Sequence, residues 1–142
     1  ILIHGCFMVG NPGENEETLK MTLEMAKKLS PDSAQFYPIM VYPGTKAYKW
    51  AEDNGYLTTK DFSKWLTKDG YHNCVVSTPL LSKEQLVSFC DYARKKFYFR
   101  PSYFFYKLQQ LILHPYEIKR TTRAFYTLSK YMLNYNNFVG RN

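Results

Sequence analysis

The sequence predicts an α/β fold that carries a mainly helical C-terminal extension. Three observations lead there. Strand-like and helix-like segments alternate over residues 1–56, each strand-like segment ends in a Gly/Pro turn that feeds a capped helix, and from residue 82 the periodicity is helical. Composition suits a folded chain: of 142 residues 45% are hydrophobic and 22% charged, which excludes a disordered polymer. Aromatics reach 18%, mostly Tyr and Phe, and such rings serve contact surfaces as well as cores.

Ile1–Val9 reads as the first strand, apolar enough to be buried on both faces and so in need of neighbouring strands. The abrupt apolar start, with no Met, no basic lead and no small-residue cleavage site, reads as a cut in a longer chain and not as a signal peptide. Gly10-Asn11-Pro12-Gly13 turns the chain. Asn15 then caps a helix running to about Leu29, with Glu16 and Glu17 at its positive end and Lys27 and Lys28 at its negative end. Leu19, Thr22, Leu23, Ala26 and Leu29 form its apolar stripe, and Ser30-Pro31-Asp32 stops it. A second strand is predicted over Ala34–Val41, at a sheet edge or with a bulge because Pro38 has no N–H to donate. Tyr42-Pro43-Gly44 turns, Thr45 caps a helix to about Asp53, and Asn54-Gly55 ends it. A strand–helix–strand–helix unit of this spacing implies parallel strands.

Residues 57–81 read as an irregular connector, with Trp65 in a short helical piece and a short strand over Asn73–Ser77. Ser82 and Gln85 form a capping box that opens a helix with Leu86, Phe89, Cys90, Ala93 and Phe97 on its inner face. Pro101 and Pro115 divide the remaining chain into helices over about 102–113 and 116–135.

Charge is unevenly placed. Residues 1–82 carry eight Lys against nine Asp or Glu, whereas residues 83–142 carry eleven Lys or Arg against three carboxylates, an asymmetry that points to an anionic partner. Cys6, Cys74 and Cys90 are scattered, with no spacing suited to zinc or a cluster, and read as buried thiols of a cytoplasmic protein. No apolar run approaches the roughly 20 residues that cross a bilayer.

In open α/β folds ligands bind beyond the carboxyl ends of the strands, where glycines let backbone approach closely. The turn after Phe7-Met8-Val9 and the segment Val41-Tyr42-Pro43-Gly44-Thr45 both occupy such ends, each with a plain βα turn as the bland alternative. Neither is a phosphate-binding fingerprint.

The order Phe7-Met8-Val9-Gly10-Asn11-Pro12-Gly13-Glu14, a helix, a strand, then Tyr42-Pro43-Gly44-Thr45 with Tyr48 resembles the last two βα units of a radical S-adenosylmethionine (SAM) enzyme. Asp32–Phe36 and Lys96–Pro101 are similar to its cobalamin-binding branch, which includes the anaerobic magnesium-protoporphyrin IX monomethyl ester cyclase and various methyltransferases. Asn15 stands where the family more often has Thr. The resemblance implies that residues 1–56 are the distal part of a partial (β/α)6 barrel and that 82–142 form a basic, aromatic-rich helical extension or lid. It implies that Met8, Gly10, Pro12 and Gly13 pack against SAM and that the backbone of Val41, Tyr42 and Pro43 meets the adenine. The parent would be an iron–sulfur oxidoreductase or methyltransferase using SAM and a 4Fe-4S cluster, with cobalamin as a further candidate. The cluster motif is absent from this chain, so the fragment is expected to be inactive alone, to hold no cofactor tightly, and to partner the N-terminal half of the same protein.

His4 reads as a core histidine, with a substrate-side role as the alternative; His72 and His114 receive no role, and Glu14, Glu16 and Glu17 read together as a dipole-complementing first turn. For the basic tail, a helical cap with a solvated face stands against contact with a peripheral membrane surface, a nucleic acid or an anionic substrate. The open first strand predicts self-association.

Overall fold

The structure is a computed structural model describing residues 1–66 and 73–134. His72 and the predicted end of the last helix at 135 lie outside the described residues. The chain forms two compact units, Ile1–Phe97 and Tyr98–Asn142. The first holds β1 (His4–Val9), α1 (Glu16–Leu29), β2 (Ser33–Pro38), α2 (Lys46–Asp53) and α3 (Lys83–Tyr98, to its penultimate residue), with a 3-10 turn at Phe62–Lys64. The second holds α4 (Pro101–Leu113), a 3-10 turn at Pro115–Glu117 and α5 (Ile118–Asn134).

β1 and β2 pair in parallel, with Phe7 opposite Phe36 and Val9 opposite Pro38. The first strand starts at His4 and not at Ile1, because its partner starts at Ser33 and leaves Ile1 and Leu2 nothing to pair with; both are exposed. β2 ends at Pro38 and not at Val41. Ile39 N donates to Val9 O at 2.7 Å, and β1 then turns away at Gly10, so no partner strand remains. The predicted strand at Asn73–Ser77 is an isolated antiparallel bridge between Leu57 and Val76.

Side chains alternate across the sheet. Phe7, Val9, Ala34 and Phe36 face the core, where the rings of Phe7 and Phe36 stack at 5.1 Å and Phe97 of α3 meets Phe36 edge-on at 6.3 Å. His4, Cys6, Met8 and Gln35 lie on the opposite, uncovered face and are exposed. Their position corrects two expectations: His4 is a surface residue whose Nδ1 lies 2.7 Å from Ser33 Oγ, and Cys6 is an exposed thiol, while Cys74 and Cys90 are buried. On α1, Leu19, Leu23 and Ala26 are buried, but Leu29, in the last turn, is exposed. A second core gathers Ile39, Val41, Ala51, Trp65, Val75 and Val76.

The caps form where the sequence places them. Asn15 accepts from Glu17 N and Thr18 N, with the Thr18 hydroxyl returning to Asn15 N; Thr45 accepts from Tyr48 N; Ser82 and Gln85 bond reciprocally. Such caps satisfy helix-terminal N–H groups that would otherwise lack partners.

The two outer edges of the sheet differ. Ser33 N donates to Ile3 O and Ile39 N to Val9 O, so odd-numbered residues of β2 point their backbone groups at β1 and even-numbered ones point away. Phe36 O therefore faces the outer edge, and there Arg94 Nη2 of α3 donates to it at 3.0 Å. Arg94 is held by Asp91, Nη1 to Oδ1 at 2.5 Å, a largely buried pair. Pro38, the next outward residue, has no donor. The outer edge of β2 is thus partly occupied, whereas no strand among the described residues pairs with the outer side of β1.

Candidate functional site

The two predicted ligand turns follow the carboxyl ends of the parallel pair, the first directly after β1 at Gly10 and the second at Tyr42, four residues beyond the end of β2 at Pro38. Met8 lies near the end of β1 on the uncovered face of the sheet and is 40% exposed. Pro12 and Gly13 are exposed at the tip of the first turn, as are Tyr42 and Pro43 at the second.

The glycines of the first turn do different work. Gly10 has φ +93°, and a Cβ there would sit 2.9 Å from Leu86 Cδ1 and 3.2 Å from Ile39 Cγ2. Its missing side chain is therefore required by the protein's own core, where α3 meets the end of β2. Gly13 has φ +81° with nothing within 4 Å of a Cβ, and Gly44 in the second turn, φ +84°, is equally open. Of the glycines predicted to meet a ligand, Gly13 has the free space and Gly10 does not. Val41 is likewise a core residue, fully buried in the second cluster, backbone included, so of the second segment it is Tyr42 and Pro43 that are open to a ligand.

Glu14 holds the turn from within. Its Oε2 accepts from Gly10 N at 2.5 Å and Asn11 N at 3.2 Å, and its Oε1 accepts from Asn11 Nδ2 at 3.1 Å. Sequence reasoning groups Glu14 with the helix-start acids. The missed signal is its spacing, three and four residues past the donors, at which a carboxylate reaches back to earlier N–H groups as in a capping box. Both N–H groups being occupied, they are not an anion cradle. In the second turn, Thr45 N and Oγ1 both donate to Tyr42 O, at 3.2 and 2.7 Å, which fixes the Tyr42 backbone and leaves its ring exposed.

The residues fit one implied cofactor and not the other. Exposed Met8 and Tyr42, with open space at Gly13 and Gly44, offer apolar and backbone surface of the kind a nucleoside-bearing ligand such as SAM uses. The cysteines do not gather as cluster ligands: Cys6 is exposed on the sheet, while Cys74 and Cys90 are buried, and burial raises the thiol pKa of both. No group of three His, Cys, Asp or Glu gathers as a metal site among the described residues.

No family model matches the chain, and no solved structure matches it. Over 120 residues, 84% of its length, it is 33% identical to a Pyrococcus horikoshii protein described as an uncharacterized methyltransferase, and it spans 25% of that protein. Over 55 residues, 39% of its length, it is 34% identical to a probable threonylcarbamoyladenosine tRNA methylthiotransferase of the same organism, spanning 13% of it. The chain thus spans a quarter or less of the curated relatives it matches. Its likeness is to parts of a methyl-transferring and a methylthio-transferring protein.

Proposed function

We propose that this chain is the distal portion of a radical SAM enzyme of the methyl-transferring kind, and that its carboxyl edge forms one wall of the SAM site. The supporting observation is that the Gly10–Gly13 turn follows β1 and the Tyr42–Pro43 turn follows β2, both beyond the carboxyl ends of a parallel pair, taken together with the similarity to the methyltransferase over 84% of the chain. In this reading Gly13 lets backbone approach the ligand, Met8 and the Tyr42 ring supply apolar contact, and Glu14 and Thr45 hold the two turns in shape. The cluster that such an enzyme uses to cleave SAM would be bound by the rest of the protein, since the cysteines here are unsuited to it. Asp32–Phe36 and Lys96–Pro101 support the cobalamin-binding branch.

Gly13→Val in the whole protein is the clean test, because no protein atom lies near the added side chain. Backbone strain at positive φ costs about 1–2 kcal/mol of stability. If the turn lines the site, SAM affinity by calorimetry falls at least about tenfold, or about 1.4 kcal/mol. Unchanged affinity in both Gly13→Val and Tyr42→Ala would remove this edge from the site. Gly10→Val is a poor probe, since collision with Leu86 and Ile39 destabilises the fold whether or not SAM is near.

A further inference from the structure

The second compact unit turns its apolar side chains outward. Phe105, Leu108 and Ile112 recur on α4 at spacings of three and four, which places them on one stripe, and they are 72%, 57% and 70% exposed. Leu113, Tyr116, Ile118 and Tyr126 are also at least half exposed. The rings of Phe104 and Phe125 meet at 6.3 Å and join α4 to α5. Basic groups lie in the same unit: Lys119, Arg120 and Arg123 are in the first turns of α5, and Lys107 Nζ sits 5.2 Å from the centre of the Tyr106 ring.

Charge indicates what covers such a face. Residues 98–142 carry seven Lys or Arg against Glu117 alone. Residues 1–97 carry twelve against eleven and offer no surplus of acid to answer them. A contiguous exposed apolar patch marks an interaction site, and the unit that carries this one has a net positive charge.

We propose that α4 and α5 form a docking surface for an anionic lipid bilayer. Phe105, Leu108 and Ile112 would enter the boundary between headgroups and acyl chains, with Lys119, Arg120 and Arg123 against the lipid phosphates. Aliphatic side chains decide against nucleic acid, which is held by ring stacking and phosphate contacts to which Leu108, Ile112 and Leu113 add nothing. The helices lie on the bilayer and do not cross it. At 13 residues α4 is about 20 Å long, short of the roughly 30 Å hydrocarbon core, and no helix among the described residues is long and apolar enough to span it. Apolar side chains that enter the headgroup boundary together with nearby basic groups bind in this manner, more tightly as anionic lipid increases.

The test is vesicle flotation of the whole protein, with phosphatidylcholine alone and with phosphatidylglycerol added. The expected result is at least about tenfold stronger partition onto the anionic vesicles, about 1.4 kcal/mol, weakening as salt is raised. Two triple variants, Phe105→Ser/Leu108→Ser/Ile112→Ser and Lys119→Gln/Arg120→Gln/Arg123→Gln, should each lower that partition about tenfold while leaving circular dichroism and SAM affinity unchanged. No binding to anionic vesicles, equal binding to both vesicle types, or parent-like binding by the apolar variant would overturn the proposal. So would amides of 105–112 that are protected from hydrogen exchange without vesicles and unaltered by them, the result expected if the rest of the protein covers this face. An RNA duplex bound in place of vesicles would reassign the surface to nucleic acid.

Discussion

The two compact units draw on similar residues and place them oppositely. In Ile1–Phe97 the rings of Phe7, Phe36 and Phe97 are buried against one another, whereas in the second unit Phe104, Phe105 and Phe125 are all exposed. The difference arises from topology. A parallel pair with its crossover helix and α3 encloses a volume on one side of the sheet, while two helices with a short connection enclose little volume between them. An aromatic-rich composition therefore goes with a core in one half of this chain and with exposed rings in the other. The same sorting applies to charge, which is nearly balanced in the first unit and strongly basic in the second.

The contrast is open to direct attack. The largest expected effect is at Phe36, fully buried and touched by both Phe7 and Phe97. Phe36→Ala should cost about 3–5 kcal/mol in urea denaturation, the usual range for truncating a core aromatic; a loss under about 1 kcal/mol would mean that the first unit is not a packed core. A second, graded effect is alkaline. Burial pushes the Cys90 thiol up to about 12 from its ordinary 9.0, and Cys74 shifts in the same direction. The unfolded chain releases these protons first, so the contribution to stability is whole below pH 9 and is lost as pH rises from 9 towards about 12. Urea midpoints should fall as pH is raised from about one unit below the ordinary thiol pKa to about two units above it, less steeply in Cys90→Ala. An equal slope in that variant would contradict the assignment. The smallest effect belongs to the second unit: Phe105→Ser should change stability by no more than about 0.5 kcal/mol, because the ring is already in water. A loss comparable to that of Phe36→Ala would show that something in the molecule covers α4.

How much of the molecule is legible in its sequence depends on the range of the interactions involved. The caps at Asn15, Thr45 and Ser82 are legible because each is settled within three residues. So is the parallel pairing of the strands, since a helix-length crossover leaves few alternatives. The end of β2 is not, because it is set by the point at which β1 turns away. Cys6 and His4 read as interior residues since an apolar run suggests two covered faces, and only the fold shows that one face is bare among the described residues. Arg94 reads as part of the basic tail, although its guanidinium reaches a carbonyl 58 residues earlier in the chain. At the candidate site, the two turns are legible as glycine-bearing strand ends. The division of labour within them, with Gly10 serving the core and Gly13 facing open space, depends on Leu86 and Ile39, which no local pattern links to Gly10.

The unequal edges of the sheet limit how the protein can go wrong. Exposed strand edges are the usual route to runaway stacking of chains, since each added strand presents a fresh template to the next. Here the two edges are unequal: Arg94 occupies the outward carbonyl of Phe36, and Pro38 has no hydrogen to offer. A strand adding at β2 finds fewer open backbone groups than one adding at β1, so growth through that side is the weaker of the two.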